Sequence, residues 1–500
     1  VKVDKRKRNE EEQERKRQRI EQGKELPSPF SKEEIEAESR KPKRKVAVLI
    51  GYAGSGYKGM QIQGDEKTIE GDIFKAFIAA GAISKANADD PKKSSLIRCA
   101  RTDKGVHAAG NVISLKLIVE DEDIVEKINA NLPPQLRVWG YERTPAGFSC
   151  YQVCDSRWYE YLIPTHAFLP PHPQSFLGKK LIEHAEAEGK LDEYKARQED
   201  VANFWAETEE NYIKPILEKL DPQLRAAVTT AMHTFDDGFP EGASDPTDAV
   251  DVKAEEVTSE VLPDADEVKK ELVDLNLPVA PTATDGEAKP EEKGPRTLSP
   301  LEAAIKEVKA AYLAAKKAYR ISDSRKARVQ EALDQYKGTN NYHNYTVQKN
   351  FKEDSAKRYI MSFQVGAKPI IVNDTEWLSL KVHGQSFMMH QIRKMVAMAT
   401  LVVRCGTPLE RIKESYGDVN ISIPKVPGLG LLLERPVFQA YNKRATTELG
   451  REPIDFAKYE DKIEEFKHRE IYERIYREEE AQNQYVPASL LPISVKLETY

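Results

Sequence analysis

Apolar and polar residues alternate along this chain in two rhythms, one of strands and one of helices. The run 45-KVAVLIGY-52 is apolar over the length of a strand, as expected where both faces are covered. Thr68 stands ahead of 69-IEGDIFKAFIAAGAI-83, whose apolar positions return at helical spacing, so its hydroxyl is placed as a cap. Strands are predicted at 95-SLIRC-99 and in the alternating run 111-NVISLKLIV-119. A helix over 124–130, a strand over 135–143 and another at 157-RWYEYLIP-164 follow. Residues 174–235 and 299–335 carry helical patterns, and strand patterns return at 357-KRYIMSFQVG-366 and 376-EWLSLKVHG-384. A long helix is predicted over 386-SFMMHQIRKMVAMATLVVR-404, ended by Gly406-Thr407-Pro408. A short helix over 409–416 comes next, then a glycine turn and strand in 427-PGLGLLLERP-436, and a charged helix over 455–479.

Two strand-and-helix blocks, 45–173 and 341–445, therefore bracket a helical insertion at 174–340. A helical extension at 446–485 and a tail at 486–500 complete the chain. This order predicts the α+β class with a mixed or antiparallel sheet.

Charge changes the picture more than composition does. Charged residues make up 32 % and aromatic residues 8 % of the 500 residues, as in a soluble, mostly globular protein. No apolar run reaches the roughly 18 residues of a membrane span, and the polar N-terminus shows no secretory signal. The net charge of −6 is unevenly spread. Residues 1–45 carry 16 basic against 11 acidic residues, whereas 236–293 carry 18 acidic against 5 basic. The body of the chain is thus basic, which suits a nucleic-acid partner. The tail 1–44, with 5-KRKR-8, 15-RKRQR-19 and 41-KPKRK-45, reads as disordered and as a candidate nuclear localisation signal. The Pro-, Ala-, Asp- and Glu-rich segment 236–298 reads as a disordered acidic insertion.

Candidate chemistry centres on four stretches. The first, 54-GSGYKG-59, has the spacing of a dinucleotide loop, but no helix opens at its last glycine and no Gly-Lys-Ser/Thr follows. It reads instead as a turn that lets backbone pass close to something large, such as a ribose-phosphate chain. The second, 99-CARTDKGVHAAG-110, sets Asp103 between Arg101 and Lys104. The bland reading is a turn carboxylate paired with Arg101. The chemical reading is a carboxylate held ionised by Arg101 and Lys104, with His107 and the glycines leaving room for a substrate. The third is Arg393, a cation among apolar helical positions that needs an anionic partner, either a structural Glu or Asp103. The fourth is Tyr159, which strand alternation places on one face with Arg157 and Tyr161, where it could stack on a base. Cys99, Cys150, Cys154 and Cys405 are read as reduced thiols. A structural zinc on Cys150 and Cys154 stays open, although no second close Cys/His pair accompanies them.

These motifs together resemble the TruA family of tRNA pseudouridine synthases, and within it the eukaryotic nuclear multisite branch. The resemblance runs in order through 45-KVAVLIGYAGSGYKGMQ-61, 99-CARTDKGVHAAGNVISLK-116, 157-RWYEYLIPT-165, 343-HNYTVQKNF-351, 384-GQSFMMHQIRKMV-396 and 428-GLGLLLE-434. It implies two pseudo-symmetric α+β halves around a basic cleft. It implies Asp103 as the catalytic carboxylate, Tyr159 beneath a flipped uracil, Arg393 as partner of the carboxylate and Arg101 as a participant in base flipping. It further implies a monomer that acts on tRNA at several sites, and on small nuclear and messenger RNA, without ATP, redox cofactor or catalytic metal. Import into the nucleus through a receptor for the basic tail is expected. The alternative is a non-catalytic RNA-binding or chaperone protein on the same fold.

Overall fold

The apolar runs become strands of one sheet. The computed structural model describes residues 30–237 and 299–485, so the basic clusters 5–8 and 15–19 and the acidic run of 238–298 lie outside the described residues. The third cluster, 41–45, and the end of the tail lie within them: Lys32–Glu36 form a helix, Lys43 donates to Ser84 Oγ (2.7 Å), and Arg44 opens the first strand, which corrects the disordered reading there. The strands are β1 (Arg44–Tyr52), β2 (Ile97–Arg98), β3 (His107–Leu117), β4 (Leu136–Arg143), β5 (Ser156–Pro164), β6 (Gly338–Asn341), β7 (Lys357–Val365), β8 (Ile370–Val372), β9 (Thr375–Gly384) and β10 (Leu431–Val437). They pair in the order β4-β1-β3-β10-β5-β9-β7-β6, with β2 beside β3 and β8 beside β9. All pairings are antiparallel except β3 with β10, where Leu432 lies opposite His107 and Leu433 opposite Ala108. The sheet is therefore mixed, as the α+β reading required.

Contacts divide the chain into two compact units, one built from Val1–Lys214 with Ala311–Tyr500 and the other from Pro215–Ala310. The sheet and all of the candidate site residues belong to the first. In the second, the helix Pro222–Asp237 is tied to the preceding turn by Arg225, whose Nε donates to the Leu217 carbonyl (2.8 Å). The predicted insertion 174–340 is thus not one body. Its flanks, up to Lys214 and from Ala311, are built into the unit that carries the sheet.

One face of the sheet carries the helix Gln391–Arg404, which is buried along nearly its whole length. Residues from the flanks of the insertion anchor its C-terminal end. Arg325 is buried, donates to the Phe168 carbonyl (2.8 Å) and to Gln198 Oε1 (2.7 Å), and pairs with Asp200 (3.0 Å). Gln198 in turn donates to the Arg404 carbonyl (2.9 Å). A buried guanidinium without these acceptors would be strongly destabilising.

The other face is closed by the charged C-terminal stretch, which is helical from Glu460 to Gln482 with a π turn over Lys467–Tyr472. It is charged yet amphipathic: Ile463, Phe466, Ile471 and Ile475 are buried. Phe466 meets Trp139 of β4 edge-on, with ring centroids 5.2 Å apart, and Tyr476 meets Trp377 of β9 at 5.1 Å. Beneath the π turn the Tyr472 hydroxyl donates to Glu160 of β5 (2.6 Å), and Lys467 reaches Glu434 of β10 (3.1 Å). The extension therefore grips four strands, the neighbours β10, β5 and β9 and the edge strand β4.

Removing the Phe466 ring empties a buried aromatic site. Phe466→Ala is expected to lower the free energy of unfolding by about 3 kcal/mol, read from the urea midpoint. A loss under about 1 kcal/mol would mean that this helix is not clamped to the sheet.

Candidate active site

The Asp103 loop lies between β2 and β3 and is fixed from below by hydrogen bonds. Asn111 Nδ2 donates to the Ala100 carbonyl (3.0 Å) and to the Tyr52 hydroxyl (3.2 Å), and that hydroxyl is 2.9 Å from Thr102 Oγ1. The Met60 amide donates to the Thr102 carbonyl (3.1 Å). These bonds commit the buried polar groups around the loop, so the backbone on either side of Asp103 cannot relax freely.

Two sequence expectations are corrected here. The strand expected from Asn111 begins four residues earlier, so Ala108 and Ala109 belong to it, and Gly110 is not a loop glycine leaving room for substrate. Gly110 is a glycine because neighbouring elements crowd it: a Cβ there would stand 2.7 Å from both the Glu434 carbonyl oxygen and the Phe456 ring. The glycine turn at 54–59 also approaches something large, but that is the Asp103 loop itself. A Cβ on Gly54 would lie 2.1 Å from the Val106 carbonyl oxygen.

His107 is likewise corrected. It is fully buried, with Nδ1 accepting from the Gly54 amide (3.1 Å) and Nε2 3.1 Å from the Leu429 carbonyl. This arrangement requires the Nε2–H tautomer, and it ties the glycine turn, the Asp103 loop and the approach to β10 together. The ring is a brace rather than a substrate contact. Burial pushes its pKa down to about 4.

Asp103 does not take Arg101 as its partner. Its Oδ2 lies 2.9 Å from His390 Nδ1, and the side chain is 29 % exposed. Burial alone would push the carboxyl up. The His390 hydrogen bond and the charges of His390, Arg393 and Lys425 reverse this and hold it below the usual carboxylate range. Arg101 is exposed and its charge is felt at Glu70, while Lys104 is half-buried. The ionised state expected of Asp103 is present, but the cations that maintain it come from the second half of the chain.

Arg393 is buried at 4 % exposure, and its Nε donates to the Val426 carbonyl (2.7 Å). The helix that carries it starts at Gln391, not at Ser386. The residues before it form a loop instead, because His390 adopts a left-handed backbone (φ 61°). Phe387 of this loop meets Tyr159 edge-on, with centroids 5.2 Å apart. Tyr159 is 7 % exposed, and burial pushes its phenol above the ordinary range. Arg157, on the same face, donates to the Cys99 carbonyl (3.0 Å) and the Gln385 carbonyl (3.0 Å), and so joins the necks of both loops. Sequence reasoning missed His390, Lys425 and this role of Arg157. His390 stands three residues before Arg393, a spacing that marks one helical face, but it was absorbed into an apolar helix pattern. Nothing in the pattern around Lys425 distinguishes it.

Cys150 and Cys154 do not converge on a ligand set. The Cys150 thiol lies 3.2 Å from the Ile97 carbonyl and the Cys154 thiol 3.2 Å from the Ser156 carbonyl. Among the described residues no three His, Cys, Asp or Glu side chains are grouped to hold a metal ion.

An ionised, part-buried carboxylate beside an aromatic pair can act on a carbon centre whose base stacks on that pair. Comparison with known proteins agrees with this chemistry. Residues 332–439 match a family model described as tRNA pseudouridine synthase. The tRNA pseudouridine synthase 1 of Yarrowia lipolytica is 44 % identical over 447 residues, covering 89 % of this chain and 73 % of the relative. That of Schizosaccharomyces pombe is 43 % identical over 447 residues, covering 88 % and 81 %. The chain belongs to the tRNA pseudouridine synthase family, the TruA family. A further member, the tRNA pseudouridine(27/28) synthase of Saccharomyces cerevisiae, is 33 % identical over 400 residues, covering 79 % of this synthase and 85 % of the relative.

The buried His107 of the synthase gives a pH signature. In the unfolded chain a histidine titrates near 6.5, so between about pH 6.5 and 4 the unfolded state binds the extra proton. The stability contributed by neutral His107 is complete above pH 6.5 and is lost as pH falls toward 4, by about 3 kcal/mol in all. His166, also buried and lowered to about 3, adds to the same trend. The urea midpoint should fall from pH 7 to pH 4.5, and less steeply in His107→Gln. An equal slope in that variant would remove His107 from the account.

Proposed function

We propose that this isomerase converts uridines of tRNA to pseudouridine at several sites, with Asp103 as the essential carboxylate. The observation that carries the reading is the ionised Asp103 in contact with His390 and within the fields of Arg393 and Lys425, beside the Tyr159–Phe387 pair. A uridine in folded RNA must leave its stack to reach this carboxylate, at a cost of a few kcal/mol. Stacking on Tyr159 and phosphate contacts from exposed Arg101 and half-buried Lys104 would offset that cost.

Asp103 then attacks ribose C1′, or removes a ribose proton to give a glycal. In the first route the N1–C1′ bond breaks as the Asp103–C1′ bond forms, the uracil turns, and C5 displaces the carboxylate from C1′. In the second the N1–C1′ bond breaks as the C2′ proton is taken, and that proton is returned to C2′ as C5 of the turned uracil bonds to C1′. The proton displaced from C5 has the Tyr159 hydroxyl as a relay. Substrate and product are isomers, so atoms and electrons balance without ATP, a redox partner or a metal. Arg393 keeps Asp103 charged through the cycle.

The basic tail, residues 1–44, supports the further proposal that the enzyme is imported by a nuclear import receptor and acts in the nucleus. Small nuclear and messenger RNA are proposed as further substrates, and the protein is proposed to act as a monomer.

Tritium release from tRNA transcripts labelled at uracil C5 tests the reading. Wild type should release tritium and Asp103→Ala should not. Arg393→Met should lose about 100-fold or more in single-turnover rate. Its tRNA affinity should weaken much less. Tight tRNA binding without release by wild type would favour the non-catalytic RNA-binding alternative.

A further inference from the structure

Asp103 has more support than ionisation alone requires. The charges of Arg393 and Lys425 both favour the carboxylate. His390 adds something that a distant charge does not, a directed hydrogen bond from Nδ1 to one named oxygen, Oδ2, at 2.9 Å.

The chain is distorted to make this bond. His390 has φ 61° and ψ −1° immediately before the Gln391–Arg404 helix, a left-handed conformation uncommon for a residue with a side chain. Such conformations persist where the surroundings over-determine them and cluster at functional sites. The surroundings here do so. The Lys394 amide donates to the His390 carbonyl (3.0 Å), and Thr346 Oγ1 donates to the Met389 carbonyl (3.0 Å). The Met388 amide donates to Gln391 Oε1 (2.9 Å). The backbone is pinned before and after residue 390, with its side chain only 12 % exposed.

We propose that His390 is a positioning residue: by occupying Oδ2 it fixes the rotamer of Asp103 and leaves Oδ1 as the oxygen that meets the ribose of the flipped uridine. The inference rests on the pseudouridine synthase reading above. An Nδ1–H is available in both the neutral Nδ1 tautomer and the imidazolium, so either form can donate the bond. The titratable and charged groups that act with Asp103 are His390 and Arg393 at the head of the helix, Lys425 ahead of β10, and Tyr159 on β5.

Three variants of the full chain separate the donor from the backbone conformation. His390→Gly accepts the left-handed backbone and has no donor. His390→Asn tolerates that backbone and can place an amide N–H where Nδ1 stands. His390→Ala lacks both advantages. Single-turnover tritium release from C5-labelled tRNA should fall about 100-fold in Gly and Ala. Asn should stay within about tenfold of wild type, and tRNA affinity should change little in all three. In Gly the acid limb of the rate against pH should move up by about one unit, because the carboxylate has lost a hydrogen bond to its charged form. A purely structural role would not move that limb. Circular dichroism and the urea midpoint confirm that the compared samples are folded.

Wild-type rate in Gly overturns the proposal, as does an Asn variant as slow as Gly with an unmoved acid limb. Loss of tRNA binding parallel to loss of rate also overturns it. Failure of the underlying reading looks different, since wild type itself would then release no tritium.

Discussion

The Asp103 carboxylate must stay charged in a place where burial favours the neutral acid. Its hydrogen-bond partner His390 is 287 residues away in sequence. Arg393 follows on the same helix, and Lys425 reaches the site from the approach to β10. Ionisation of one side chain therefore requires two distant parts of the chain to be held in fixed relation. The means is the sheet, which places the Asp103 loop and the head of the Gln391–Arg404 helix on one face. Arg325, Gln198 and Asp200 hold the other end of that helix, so residues in the flanks of the insertion support the geometry around Asp103 without approaching it.

The opposite face answers the same need by different means. A site built on strands is only as rigid as the strands. The C-terminal helix lies across β4, β5, β9 and β10 and combines aromatic contacts with buried charge. Glu160 and Glu434 lie close together beneath it, and burial pushes Glu434 above the ordinary range while Lys467 opposes this. Removing Lys467 alone would leave two neighbouring carboxylates with little compensation, the situation in which a buried charge is most costly.

Much of this was legible in the sequence because local rules were obeyed. The strands at 45–52, 157–164 and 376–384 and the Thr68 cap follow from periodicity and hydroxyl placement, and Thr68 Oγ1 accepts from the Gly71 amide as expected. What misled was small or apolar residues used for close approach. Gly110 looked like part of an open loop because its reason for being small, β10 and Phe456, is far away in sequence. Phe387 and Met388 looked helical because apolar spacing does not reveal that His390 turns left-handed. Asp103 was found because a carboxylate between two cations is locally conspicuous. Arg393 was found as a buried cation in need of an anion, and its charge does act on Asp103, but the His390 hydrogen bond was not, since a contact across two halves of a chain leaves no local trace.

The parallel seam between β3 and β10 also bears on how the molecule is made. Until β10 is synthesised, β4, β1, β3 and β2 can assemble with only the His107–Ala108 end of β3 left unpaired on that edge. An open, apolar strand edge is a template for unwanted association. His107 waits equally long, since Leu429, which closes its second hydrogen bond, comes 322 residues later. The Asp103 loop can therefore be braced only once Leu429 has been synthesised. Interrupted translation would then release a fragment with an exposed edge and no working centre, a natural target for chaperones and proteases.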